Sequence, residues 1–124
     1  MDVGHKRGIE VVFDRLREDG HDVDKLWSDI DKIIIKTFCT VQPNLSHHYK
    51  SCQSDNFANN MCFEVLGFDI FLDNKLKPYL IEVNHTPSFT TDTPLDSLIK
   101  KNLIRDTLRL MNMNIKTKQD IQSQ

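Results

Sequence analysis

Apolar positions recur at helical spacing in three stretches of the chain and at strand spacing in one. Ile9, Val12, Phe13 and Leu16 follow the first pattern and predict a helix between Gly4 and Gly20, ended by Gly20. Asp22 or Asp24 is placed to cap a longer second helix. Its buried stripe is Leu26, Trp27, Ile30, Ile33, Ile34, Thr37 and Phe38. The run Ile33-Ile34-Ile35 has strand character, but the flanking period favours helix. Pro43 is expected to limit that helix, because a residue preceding proline avoids helical geometry. Asn44 to Asn60 is polar and irregular, and predicts a short helix followed by a surface loop. Pro87 and Pro94 forbid ladder bonding between His85 and Pro94, which reads as loop. Leu95 to Met111 predicts an amphipathic helix with Leu95, Leu98, Ile99, Leu103, Leu108 and Leu110 as core contacts. Residues 113–124 are a polar tail expected to fray. There are no internal repeats and no low-complexity tract.

Residues 61–84 carry strand spacing on two arms and predict an antiparallel hairpin. Asp73-Asn74 is a favourable two-residue turn dipeptide. That turn, or a four-residue loop around it, sets Phe68, Ile70 and Leu72 on one face with Tyr79, Ile81 and Val83. The other face then holds Gly67, Asp69, Phe71, Leu80, Glu82 and Asn84. A three-residue loop would separate Asp69 from Glu82, so the arrangement depends on register. Two carboxylates and an amide oxygen on one face are hard donors of the kind that hold Mg²⁺ together with substrate phosphates. The competing reading is an edge hairpin whose polar residues simply face water.

Size and charge narrow the classes. The 124 residues suffice for one small domain. With 39% apolar and 27% charged residues, the composition is that of a globular protein. A net charge of −2 carries no nucleic-acid or membrane signature, and neither partner is expected. No apolar run approaches a membrane span, and no signal peptide is visible at the first residues. Cys39, Cys52 and Cys62 form no C-x-x-C pair and read as reduced thiols. A zinc site from His47, His48 and Cys52 lacks a second ligand pair at the usual spacing.

Leu66-Gly-Phe-Asp-Ile-Phe-Leu-Asp73 and Lys75-Leu-Lys-Pro-Tyr-Leu-Ile-Glu-Val-Asn-His-Thr-Pro-Ser-Phe89 resemble the tubulin–tyrosine ligase-like family. The continuation Pro87-Ser-Phe-Thr-Thr-Asp92 is most similar to its polyglutamylase branch. The opening Gly4-His-Lys-Arg7, Leu26-Trp-Ser-Asp-Ile30 and Ile35-Lys-Thr37 share in the likeness, which runs from Gly4 to Met111. The resemblance implies an α+β fold: the C-terminal portion of an ATP-grasp domain over residues 1–112, an antiparallel hairpin packed with helices. It implies a ligase that joins glutamate to glutamate side chains of tubulin, using ATP and Mg²⁺. In such a ligase the acceptor carboxylate takes the γ-phosphoryl group of ATP, releasing ADP, and an amine then attacks the resulting acyl phosphate and displaces phosphate. The family's upstream elements that contact nucleotide and substrate have no counterpart before Gly4. The chain is therefore expected to be an incomplete piece that, taken alone, exposes an apolar sheet face.

Carried onto this chain, the resemblance makes Asp69, Glu82 and Asn84 the metal ligands, with Glu82 able to bridge two ions. Phe71, Leu80 and Asn84 would border the nucleotide. Glu82 and His85 are the catalytic candidates, His85 by contacting the acceptor or the incoming amino acid. Lys101, Arg105 and Arg109 recur at i, i+4 and i+8 as a basic stripe, suited to the acidic tails of tubulin and microtubules. With His85 they form the substrate-binding set. Lys36 reads as a solvated helix residue. A glycine or tyrosine ligase, or a non-catalytic microtubule-binding fragment, are the alternatives. The implied location is cytoplasm and cytoskeleton, with cilium or basal body as the finer expectation.

Overall fold

The computed structural model describes residues 5–52 and 62–111. The expected tail at 113–124 and the end of the expected 44–60 loop lie outside the described residues. In chain order the elements are α1 (Ile9–Glu18), α2 (Val23–Cys52), β1 (Gly67–Leu72), β2 (Pro78–Asn84) and α3 (Pro94–Leu110). Helices plus one antiparallel two-stranded sheet make this an α+β arrangement. Two compact units divide it: 13–87, and 1–12 with 88–124.

In the first unit, Gly20 ends α1 as predicted. Its φ of 86° is left-handed, where a side chain would be strained. The Gly20 amide donates to Arg17 O and the His21 amide to Leu16 O, satisfying helix-end carbonyls. Asp22, of the two candidates, caps α2: its Oδ1 accepts from the Lys25 amide at 2.9 Å. The buried cluster is Phe13, Val23, Leu26 and Ile30, with Leu16, Ile34, Ile70 and Leu72 packed against it. Phe13 and Trp27 meet edge to face at 4.9 Å. Phe68 lies near Phe38, their ring centroids 6.0 Å apart. The hairpin thus presses its Phe68–Ile70–Leu72 face toward α2.

Pro43 does not end α2, which continues to Cys52. Proline removes one amide donor and crowds the carbonyl of Cys39, at a cost of about 3 kcal/mol in a helix interior. The apolar stripe, however, runs past it. Phe38, Val41, Leu45 and Tyr49 keep three- and four-residue spacing and line one hollow with Phe63. Thr40 Oγ1 also donates back to Lys36 O, binding the turn before the proline to the helix.

The second unit contains α3, and its start is built by local chemistry. The Thr93 hydroxyl accepts from the Asp96 amide, and the Asp96 carboxylate accepts from the Thr93 amide, closing a capping box. Pro94 occupies the first turn, where its missing amide costs nothing. No α3 residue is buried. The expected core contacts of this helix are corrected accordingly: Leu98, Ile99, Leu103, Leu108 and Leu110 are all exposed, and Leu95 is half-buried. The helical period located the apolar face, but no described element covers it.

Candidate metal and phosphate site

The hairpin reaches its register by two opposing irregularities. Leu72 pairs with Pro78, so the connection is not the expected two- or four-residue turn. The Leu76 amide donates to Asp73 O, and the Asp73 amide to Lys77 O. Leu76 has φ 60°, the left-handed position that closes a three-residue loop. Asp73 holds the turn: its Oδ1 accepts from the amides of Lys75 and Lys77, each at 2.9 Å. These bonds, led by that from Lys77, keep its carboxyl below the usual aspartate range.

Such a loop alone would set Asp69 opposite Ile81. The register shifts between Asp69 and Ile70, however. On β2, Ile81 is the extra residue of a bulge. Beyond it, Asp69 pairs with Glu82, Phe68 with Val83 and Gly67 with Asn84. The bulge returns the two acids to a common face. Before the bulge, the three-residue loop corrects two expectations: Leu80, expected on the Asp69 face, pairs with Ile70 on the opposite face, and Tyr79, expected with Ile70, pairs with Phe71 on the Asp69 side. Phe71 keeps the Asp69 side and is 55% exposed.

The open face therefore carries Phe71, Tyr79, Asp69, Glu82 and Asn84. Asp69 and Glu82 are exposed, and Asn84 is half-buried. The Asn84 Nδ2 donates to Glu82 Oε1 at 2.9 Å. This bond fixes the carboxylate and leaves the amide oxygen and Glu82 Oε2 as free acceptors. Gly67 stands opposite Asn84: an added Cβ would meet Asn84 Cβ and Pro87 Cβ at 3.6 Å each, ordinary contact that would fill the space beside them. Among the described residues no three His, Cys, Asp or Glu side chains come together as a metal site, His47, His48 and Cys52 included. The donor set here is two carboxylates and an amide, too few to enclose a cation. It fits Mg²⁺, which is usually held by one or two carboxylates and completed by substrate phosphates and water.

His85 is exposed directly after Asn84. In the other unit, Lys101, Arg105 and Arg109 are exposed along α3. Asp106 pairs with Arg105 at 3.3 Å and Arg109 at 3.4 Å. These three cations line an open hollow of 870 Å³ together with Lys100, Phe89, Thr91, Ile104 and Leu108. Lys100 was not among the sequence candidates, since it stands one position off the four-residue stripe. Its ammonium donates to Thr90 O, which turns it toward the Phe89–Thr91 loop.

The chain is 64% identical, over all 124 residues, to a probable beta-tubulin polyglutamylase of Tetrahymena thermophila, of which it covers 10%. It is 46% identical over 112 residues to the tubulin polyglutamylase ttll6 of Danio rerio, covering 90% of the chain and 14% of that protein. It is 41% identical over 119 residues to the mouse tubulin polyglutamylase TTLL7, covering 94% of the chain and 13% of that protein. The chain thus spans only a small part of these relatives. The profile of the tubulin-tyrosine ligase family matches residues 2–121, and the chain belongs to that family.

Proposed function

We propose that this chain is part of a tubulin polyglutamylase, an ATP-dependent ligase that adds glutamate to glutamate side chains of tubulin. The observation that carries the reading is the cross-strand pair Asp69–Glu82, with Asn84 bonded to Glu82 on the same open face. The relatives' names support the tubulin substrate and the glutamyl product. The fold is read as the C-terminal part of an ATP-grasp domain.

Asp69, Glu82 and the Asn84 amide oxygen would hold Mg²⁺ beside the phosphates of ATP. Bound there, the ion supplies charge neutralisation for phosphoryl transfer to the acceptor carboxylate. The protein's own contribution is positioning. Asn84 orients Glu82, and the bulge brings Asp69 opposite it. Phe71 and Tyr79, exposed on the same face, offer an apolar border for the nucleotide, a role the register withdraws from Leu80. His85 contacts the acceptor or the incoming glutamate, through its imidazole at the end of β2. Lys101, Arg105 and Arg109 receive the acidic tubulin tail. The protein acts at the cytoskeleton, in cytoplasm and at cilia or basal bodies. No helix among the described residues is long and apolar enough to cross a membrane.

The test is incubation of the protein carrying this chain with microtubules, ATP, Mg²⁺ and labelled glutamate or glycine. Glutamate is expected to be incorporated, and Asp69→Asn is expected to lower the rate by about 10²-fold or more, the scale for losing one electrostatic group. Incorporation of glycine in preference to glutamate would replace the assignment with a glycine ligase. Unchanged glutamate transfer by Asp69→Asn would remove Asp69 from the site.

A further inference from the structure

The hollow on α3 has a composition that simple charge attraction does not require. Lys101, Ile104, Arg105, Leu108 and Arg109 recur at i, i+3, i+4, i+7 and i+8, one continuous helical face. Cations and large apolar side chains interleave along it. Phe89 lines the same hollow from the loop, and Phe89, Ile104 and Leu108 are 46%, 42% and 52% exposed. A stripe meant only to attract acids would gain nothing from three such side chains.

We infer that this hollow reads an extended acidic peptide that carries a large apolar side chain among its acids, the carboxylates meeting Lys101, Arg105 and Arg109 and the apolar group resting on Phe89, Ile104 and Leu108. The inference rests on the ligase reading for its acidic partner and adds the apolar requirement to it. Lengths agree. From Lys101 to Arg109 the helix rises about 12 Å, at ~1.5 Å per residue. An extended peptide covers that span with about four residues. Side chains two apart in such a peptide face the same way, so an apolar residue and the acids two positions to either side of it meet one helix face together. Charge complementarity selects the occupant. Four cations border the hollow, and Asp106, bonded to Arg105 and Arg109, offsets only part of their charge.

The experiment is fluorescence anisotropy of the protein carrying this chain with two labelled peptides, Glu-Glu-Phe-Glu-Glu and Glu-Glu-Ser-Glu-Glu, at two salt concentrations. The phenylalanine peptide is expected to bind about fivefold tighter or better, the worth of partly burying one aromatic side chain. Leu108→Ser and Ile104→Thr, each checked for retained helicity by circular dichroism, should erase that preference and leave the salt-sensitive part of binding. Arg105→Glu with Arg109→Glu should weaken both peptides alike. Equal affinity for the two peptides would overturn the inference, and so would a preference that survives both apolar substitutions. Equal competition by inorganic triphosphate against both peptides would reduce the surface to a general anion attractor and overturn it too. Nucleotide and turnover play no part in the measurement, so intact peptide discrimination in a protein without glutamate transfer would sink the ligase reading alone.

Discussion

Deleting one residue from the middle of a β-strand normally flips every side chain beyond it to the other face. The bulge in this hairpin predicts an exception. Ile81 has no partner on β1, so its deletion leaves Ile70 opposite Leu80 and Asp69 opposite Glu82. Ile81 is 67% exposed, so only the buried third of its side chain is lost, about 0.5–1 kcal/mol. Deletion of Val83 has a different consequence. It makes Glu82 and Asn84 adjacent, and adjacent strand residues face opposite ways. One of them must then turn toward Phe68 and α2. A misplaced amide or carboxylate there costs roughly 1–3 kcal/mol, beyond about 1 kcal/mol for the half-buried valine. Urea melts of the two deletion variants measure the costs. Cross-strand Hα contacts in nuclear magnetic resonance spectra show whether Asp69 still faces Glu82. The ΔIle81 protein is expected to keep that contact and most of its stability, and the ΔVal83 protein to lose about 2–4 kcal/mol. Equal destabilisation by the two deletions, or loss of the Asp69–Glu82 contact without Ile81, would refute the register argument.

Other expectations follow from single contacts. Thr93→Ala removes the hydroxyl that accepts from the Asp96 amide, and should cost α3 about 1 kcal/mol, read as faster amide exchange in its first turn. The Asp73 carboxyl is held low by its turn amides, first that of Lys77, so its stabilisation is present above the unfolded value near ~3.9 and is lost as pH falls through the lower folded value. Acid titration of hairpin stability should therefore show a loss below about pH 4 that Asp73→Ala removes; a titration unchanged by that substitution would contradict the turn's dependence on the carboxylate. Pro43→Ala restores an amide donor within α2 and should raise its stability by up to about 3 kcal/mol in denaturant melts, whereas destabilisation would show that the proline fits a bend the helix needs.

Much of the site was readable because a strand's period of two is rigid. Once Asp69 and Glu82 lie on facing arms, only parity decides whether they meet. The turn was harder to read. Asp73-Asn74 has the composition of a tight turn, yet Asp73 spends its carboxylate on the amides of Lys75 and Lys77 and closes a longer loop. Leucine at a left-handed position gives no warning in sequence, and neither does a bulge at isoleucine. The two departures cancel at Asp69 and Glu82 but not at Leu80, which is why the acids met as expected and Leu80 did not join them. Pro43 misled for a related reason. The apolar period continues past it through Val41, Leu45 and Tyr49, and α2 extends with that period to Cys52. The capping box at Thr93 and Asp96 was available as a T-x-x-D pattern and would have set the start of α3 one residue earlier. The exposed apolar face of α3 could be located but not given a neighbour, because periodicity identifies a face and not what covers it.

We propose that Asp69, Glu82 and Asn84 form one divalent-cation site. Titration of the isotope-labelled chain with Mn²⁺, read as paramagnetic broadening of backbone amides, tests it most directly, since weak binding suffices. Broadening is expected first at Asp69, Glu82 and Asn84, reversed by excess Mg²⁺ and abolished by Asp69→Asn. Broadening spread evenly over surface acids such as Asp14 and Asp29, or unaffected by Asp69→Asn, would contradict the account.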